Sequence, residues 1–142
     1  MHFSYTGASM VYVDIEPDTM NMDPAKVREA IIPKTRVIVP VHYPGVPCDI
    51  YAIAEVIGDR EDIYIVEDAA QGLFSSDKNG KALGTIGHIG CLSFGGTKNL
   101  TSGGAGGAIV INDQRLLDRV ETIRDKGTNR TQFLKGEVDH YT

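Results

Sequence analysis

At 142 residues, 42% of them hydrophobic and 23% charged, the chain has the composition of one ordinary globular domain, long enough to bury roughly 70% of the surface its unfolded form exposes. The net charge of −5, with acids and bases interspersed, argues against nucleic acid or an anionic membrane as partner. No apolar run approaches the ~20 residues of a membrane span, and the N-terminal residues lack a signal peptide's charged and apolar regions. Cys48 and Cys91 form no CxxC pair, so two reduced thiols in a cytoplasmic protein are expected, not a disulfide or a metal site.

Residues 10–15 (MVYVDI) are β-branched and aromatic and predict a strand. Asp23 and Pro24 then supply an N-cap and a first-turn proline for a helix with Val27, Ala30 and Ile31 on its apolar face. Residues 36–41 (RVIVPV) read as a buried strand, weakened at Pro40, which donates no ladder bond. Asp49 caps a helix whose Ile50, Ile53, Ala54 and Ile57 repeat at helical spacing, and Gly58 ends it. The next strand is expected over residues 62–67, and a polar, glycine-rich loop over 75–90. Residues 91–94 and 108–111 predict two more strands. A last helix starts at Asn112 or Asp113, with Leu116, Leu117, Val120 and Ile123 inward and Gly127 as its stop, and loop follows from Thr128. Strand, helix, strand, helix, strand is the pattern of an α/β fold, a mainly parallel sheet with flanking helices. The final strand follows a connection with no helix, so it is expected to run antiparallel near one end. No repeat, linker or second domain interrupts residues 1–142.

The chemistry centres on residues 91–107, CLSFGGTKNLTSGGAGG. Ordering so many glycines is entropically costly and calls for a reason. A Walker loop needs Gly-Lys followed at once by Ser or Thr, whereas here Gly96, Thr97, Lys98 and Asn99 run in order. A dinucleotide fingerprint leads into a helix, whereas Gly107 leads into a strand. A third chemistry is a lysine bonded covalently to pyridoxal 5'-phosphate (PLP), which also needs a carboxylate for the pyridine nitrogen. Asp68 ends the apolar run of residues 65–68 and could serve. Ligands of open parallel sheets bind beyond the carboxyl ends of the strands, where Asp68 and Lys98 would both stand. His42, also ending a strand, could reach the same crevice. On spacing alone, a turn-capping Asp68, a solvated Lys98 and a structural His42 account for the same residues.

The order EDAAQG (67–72), SF (93–94), TKN (97–99) and a glycine cluster before a strand resembles the DegT/DnrJ/EryC1/StrS family of PLP-dependent sugar aminotransferases. With GTIGHIG (84–90) and IRDKGTNR (123–130), it is most similar to the family's dTDP-4-amino-4,6-dideoxygalactose transaminase branch, which serves enterobacterial common antigen synthesis. The resemblance runs nearly end to end. It implies part of the large domain of a fold-type I PLP enzyme, with Lys98 as the catalytic lysine and Asp68 on the pyridine nitrogen. It also implies Gln71 near the cofactor's phenolic oxygen and Ser93 on its phosphate. The substrates implied are an amino-acid donor, glutamate, and a dTDP-4-keto-6-deoxy-hexose, in a homodimer of the full-length protein.

The same resemblance begins partway into the family's cofactor domain and stops before its C-terminal part. The phosphate-gripping Gly-Thr/Ser turn, the stacking aromatic ring and the smaller domain have no counterpart here, so the chain is expected to be a central fragment. A remnant that binds PLP or phosphate weakly is the alternative. The dehydratase branch replaces the lysine by histidine, and Lys98 argues against it. Where Gly95, Gly96 and Ala105 stand, the nearest members carry bulkier polar residues and a glutamate. Gly95 and Gly96 would loosen the Lys98 segment unless the backbone there needs a positive φ.

Overall fold

Three aspartates start three of the helical segments, as short side chains that accept backbone N–H groups do at N-caps. In the computed structural model, which describes residues 2–142, Asp23 accepts the Ala25 N–H at 2.7 Å and opens α1 (Pro24–Ala30). Asp49 accepts the Ala52 N–H at 3.0 Å and opens α2 (Ile50–Ile57), which Gly58 closes at a φ of 59°. Asp113 opens a 3-10 turn, Gln114–Leu116, that runs into α3 (Leu117–Arg124).

Between these lie β1 (Val37–Ile38), β2 (Tyr64–Asp68), β3 (Ile89–Ser93) and β4 (Gly107–Ile111), adjacent in that order. The β1–β2 and β2–β3 pairs are parallel, and β4 returns antiparallel along the edge of β3. The fold class is therefore the expected one and the last strand is antiparallel, although the parallel β2–β3 pair is likewise joined without a helix, by residues 69–88. Val27 of α1, Ile50 and Ile53 of α2, Ile38, Ile63 and Ile65 form one buried cluster with Cys48. Along β2 burial alternates, with Ile65 and Glu67 buried and Tyr64, Val66 and Asp68 half-buried, as the two-residue period of a strand requires.

Four expectations are corrected. Residues 10–15 form no strand; within them Ile15 makes an isolated bridge, to Met22, and Val11 and Tyr12 lie exposed. The first sheet strand is cut to Val37–Ile38 because Pro40 has no N–H for the ladder, which resumes only where Val41 bridges Asp68. Ala54 and Ile123 point outward, although helical spacing put them inward. Residues 130–134, expected as loop, form α4 (Arg130–Leu134).

Candidate functional site

Asp68 closes β2 and Ser93 closes β3, and the two strands are parallel neighbours with Asp68 opposite Cys91. Both loops consequently leave the same carboxyl edge of the sheet. The Ala69 N–H donates to Cys91 O at 2.9 Å, which carries the pairing one residue past Asp68. Beyond β3, the Lys98 N–H donates to Gly95 O at 3.0 Å and closes a turn. Asn99 Nδ2 then donates to Leu73 O at 3.2 Å, tying that turn to the loop that follows Asp68.

Asp68 Oδ1 accepts the Ala70 N–H at 3.0 Å, so the aspartate does cap its own turn. Its Oδ2 makes no hydrogen bond among the described residues, which leaves one oxygen available. Lys98 is half-buried, and its Nζ has no ion pair or hydrogen bond among the described residues. Ser93 Oγ accepts the Gly95 N–H at a long 3.4 Å, leaving the hydroxyl proton free to donate. Gln71 is half-buried in a turn closed by the Gly72 N–H on Ala69 O, 2.9 Å. Four of the five predicted residues thus gather at one sheet edge. The charge of Asp68 also bears on Cys91, whose thiol is pushed up first by burial and then by that carboxylate.

His42 does not join them. Its ring is fully buried, with Nε2 at 2.8 Å from Glu67 Oε2 and Nδ1 accepting the Cys48 N–H at 3.0 Å. Both nitrogens are engaged within the fold, so the ring has none left for a ligand. Ending a strand places the His42 backbone at the edge but does not decide which face its side chain takes.

Glu67, unremarked in the sequence beside Asp68, proves to be a fully buried carboxylate with four hydrogen-bond partners. Oε2 also accepts the Gly84 N–H at 2.9 Å, and Oε1 accepts the N–H groups of Ile86 and Gly87 at 2.7 and 2.6 Å. Burial by itself raises the Glu67 carboxyl; the His42 donor and the amides of Gly87, Gly84 and Ile86 outweigh it and hold the group below the ordinary range. One signal was available: counting by twos from Ile65 puts a charge at 67 on the core face, where it needs partners. Asn99 was missed for want of any such signal.

Gly95 and Gly96 do not need a positive φ. A Cβ on Gly96 meets nothing within 4 Å, and one on Gly95 meets Ser93 Oγ at 3.6 Å and Lys98 Cγ at 3.9 Å, both ordinary contacts. Elsewhere, a cavity of about 320 Å3 near the start of β2 is lined by Ile57, Arg60, Ile63, His88 and Arg115 and includes none of the five candidates. Cys48 and Cys91 are free thiols, and the described residues hold no group of three metal-ligating side chains.

The fold is thus a mainly parallel α/β sheet with an aspartate at the end of one strand and a lysine beyond the end of its neighbour, both at the carboxyl edge. Residues 2–140 match the DegT/DnrJ/EryC1/StrS aminotransferase family, and the chain belongs to it. It is 39% identical over 127 residues to the dTDP-3-amino-3,4,6-trideoxy-alpha-D-glucose transaminase of Streptomyces venezuelae, covering 89% of this chain and 33% of that one. The structure is similar to that of an aminotransferase from Psychrobacter cryohalolentis, with a TM-score of 0.86, 34% identity, and coverage of 96% of this chain and 34% of that chain. It is also similar to a GDP-4-keto-6-deoxymannose-3-dehydratase with a trapped PLP–glutamate geminal diamine, with a TM-score of 0.73, 32% identity, and coverage of 84% and 30%. The chain spans about a third of the length of the curated relatives it matches.

Proposed function

We propose that this chain carries the lysine and the aspartate of a PLP-dependent sugar-nucleotide aminotransferase of cell-surface polysaccharide synthesis. The observation that carries the reading is the bond from Asn99 to Leu73, which joins the turn holding Lys98 to the loop leaving Asp68. A free amine and a free carboxylate oxygen on joined loops suit a group with an aldehyde at one side and a basic ring nitrogen at the other. Bound PLP supplies the aldehyde that bonds an amine and a ring that draws electron density from the attached carbon.

The protein's own groups would do the rest. Asp68 Oδ2 accepts a hydrogen bond from a protonated ring nitrogen and, by its charge, keeps the proton there. Lys98 Nζ would hold the cofactor and, once displaced, would move the proton between the substrate carbon and the cofactor's C4′. The Ser93 hydroxyl donates to the phosphate, and the Gln71 amide lies beside the ring. The amino donor is glutamate and the acceptor a dTDP-4-keto-6-deoxy-hexose, in a full-length homodimer of the cytoplasm. The presence of Lys98 favours amino transfer over the dehydratase chemistry named for one of the similar structures.

Borohydride reduction after addition of PLP, followed by mass spectrometry, tests the assignment. The expected result is one reduced adduct, on Lys98, that Lys98→Ala abolishes. Since the Nζ has no partner among the described residues, the substitution should alter stability by no more than ~0.5 kcal/mol. An adduct that persists at a single site in the variant would assign the chemistry to another lysine.

A further inference from the structure

We propose that His42 and Glu67 are a positioning pair that sets where the Asp68 carboxylate stands. The inference rests on the reading of Asp68 as the cofactor's partner. Glu67 and Asp68 are consecutive on β2, so their side chains leave opposite faces of the sheet. A carboxylate on the buried face is tolerable only when fully partnered, and Glu67 has four donors, from His42, Gly84, Ile86 and Gly87.

The geometry ties that network to Asp68 through the main chain. The His42 N–H donates to Asp68 O at 3.0 Å, and the Asp68 N–H donates to Pro40 O at 2.8 Å. His42 therefore grips β2 twice, by its backbone at Asp68 and by its ring at Glu67. The second grip matters because Pro40 removes a ladder donor where β1 and β2 would otherwise stay paired. Hydrogen bonds are directional, whereas an apolar pair of similar volume could slide or twist without losing its packing. The Cys48 N–H on Nδ1 fixes the proton on Nε2, so a neutral ring donates to an ionised Glu67. Through the amides of Gly84, Ile86 and Gly87, the same carboxylate anchors the loop that leads into β3, the strand before Lys98. One buried pair thus joins the segments that lead to both halves of the site.

The experiment uses the whole protein that carries this chain. Amide hydrogen exchange and spectrophotometric PLP titration are measured for the parent, His42→Ala and His42→Gln, well below their melting temperatures. The Gln variant keeps a donor near the Nε2 position. In His42→Ala, exchange at the backbone amides of positions 42 and 68 should accelerate at least tenfold more than across the β3–β4 ladder, and PLP affinity should fall about tenfold, the scale of one hydrogen bond to a charged group. His42→Gln should recover most of both. In an Asp68→Asn background, His42→Ala should change PLP affinity less than twofold, because the residue it positions has already lost its charge. Uniform acceleration of all amides, or an undiminished affinity loss in the Asp68→Asn background, would overturn the proposal. A parent protein that binds no PLP would refute the cofactor reading instead, and the exchange pattern alone would then decide whether the pair holds Asp68.

Discussion

Glycines that look alike in the sequence differ sharply in what surrounds them. At Gly90 a Cβ would overlap the backbone oxygen of Gly84, which cannot move without disturbing the amide that Gly84 gives to Glu67. Gly90→Ala should therefore destabilise the protein by about 1–3 kcal/mol, as overpacking of a rigid neighbour does. Gly96 is the contrast, with open space and no positive φ. Gly96→Ala should stabilise by roughly 0.4–1 kcal/mol through the unfolded chain. Urea denaturation of the two variants checks both signs, and a stable Gly90→Ala would show that the Gly84 turn yields. Glu67 adds a pH dependence. A carboxyl held low in the fold contributes stability that is complete above its unfolded value of about 4.3 and is lost as pH falls through the folded value. Glu67→Gln should cost about 3 kcal/mol at pH 7, because it breaks a buried, partnered charge. It should also flatten the fall in stability below about pH 4.3, and an unchanged acid limb would remove Glu67 as its source. The residues left Asp68 and Lys98 open between site and structural roles until the family resemblance pointed to them, and each is half-buried with an atom free of hydrogen bonds among the described residues. Sequence position misassigned His42, because whether that ring turns toward the crevice or the core depends on Glu67 and on the Cys48 amide, which are distant or inconspicuous in sequence.

Elements with their own start and stop chemistry were legible, and those needing a partner were not. Asp23 with Pro24, and Asp49 with Gly58, fix α1 and α2 by local hydrogen bonds, so both helices lie where the residues put them. Residues 10–15 have strand composition, yet their pairing among the described residues is limited to the single bridge of Ile15 to Met22, and β-propensity without a ladder decides little. In α3 the helical spacing of Ile123 is sound, yet it faces solvent, 66% exposed, because no element among the described residues covers that side. Ile109 on the edge strand β4 is equally exposed at 66%. Apolar side chains on an open edge and an uncovered helix invite association. Ile109→Thr with Ile123→Gln should reduce self-association in sedimentation velocity while shifting stability by no more than ~0.5 kcal/mol. A large loss of stability would mean that both residues pack more tightly in solution than their exposure suggests.

At the scale of the whole molecule, the proposed site residues stand at one sheet edge of a chain that spans about a third of the length of its curated relatives. Asp68 and Lys98 are supported from below, by the β2–β3 pairing, the Asn99 bond and the Glu67 network. Among the described residues, no comparable device fixes the side of the proposed site where a phosphate or a substrate would sit. Around Lys98 the backbone of Gly96, Gly103 and Gly104 faces open space, and the residues of 99–107 are exposed. Rate acceleration by positioned charge requires the reacting groups to be held within about half an ångström of their productive arrangement. A covalent adduct makes a weaker demand, needing only a reactive amine and an aldehyde in contact. The 142-residue chain alone should therefore form the Lys98 adduct with PLP yet show no measurable amino transfer from glutamate to a dTDP-4-keto-6-deoxy-hexose. Purified monomer incubated with all three compounds and assayed for the amino sugar by mass spectrometry makes the test. Turnover comparable to that of a full-length relative assayed alongside would mean that the edge built by Asp68, Ser93 and Lys98 is a sufficient active site, and that the longer chains add specificity instead of catalysis.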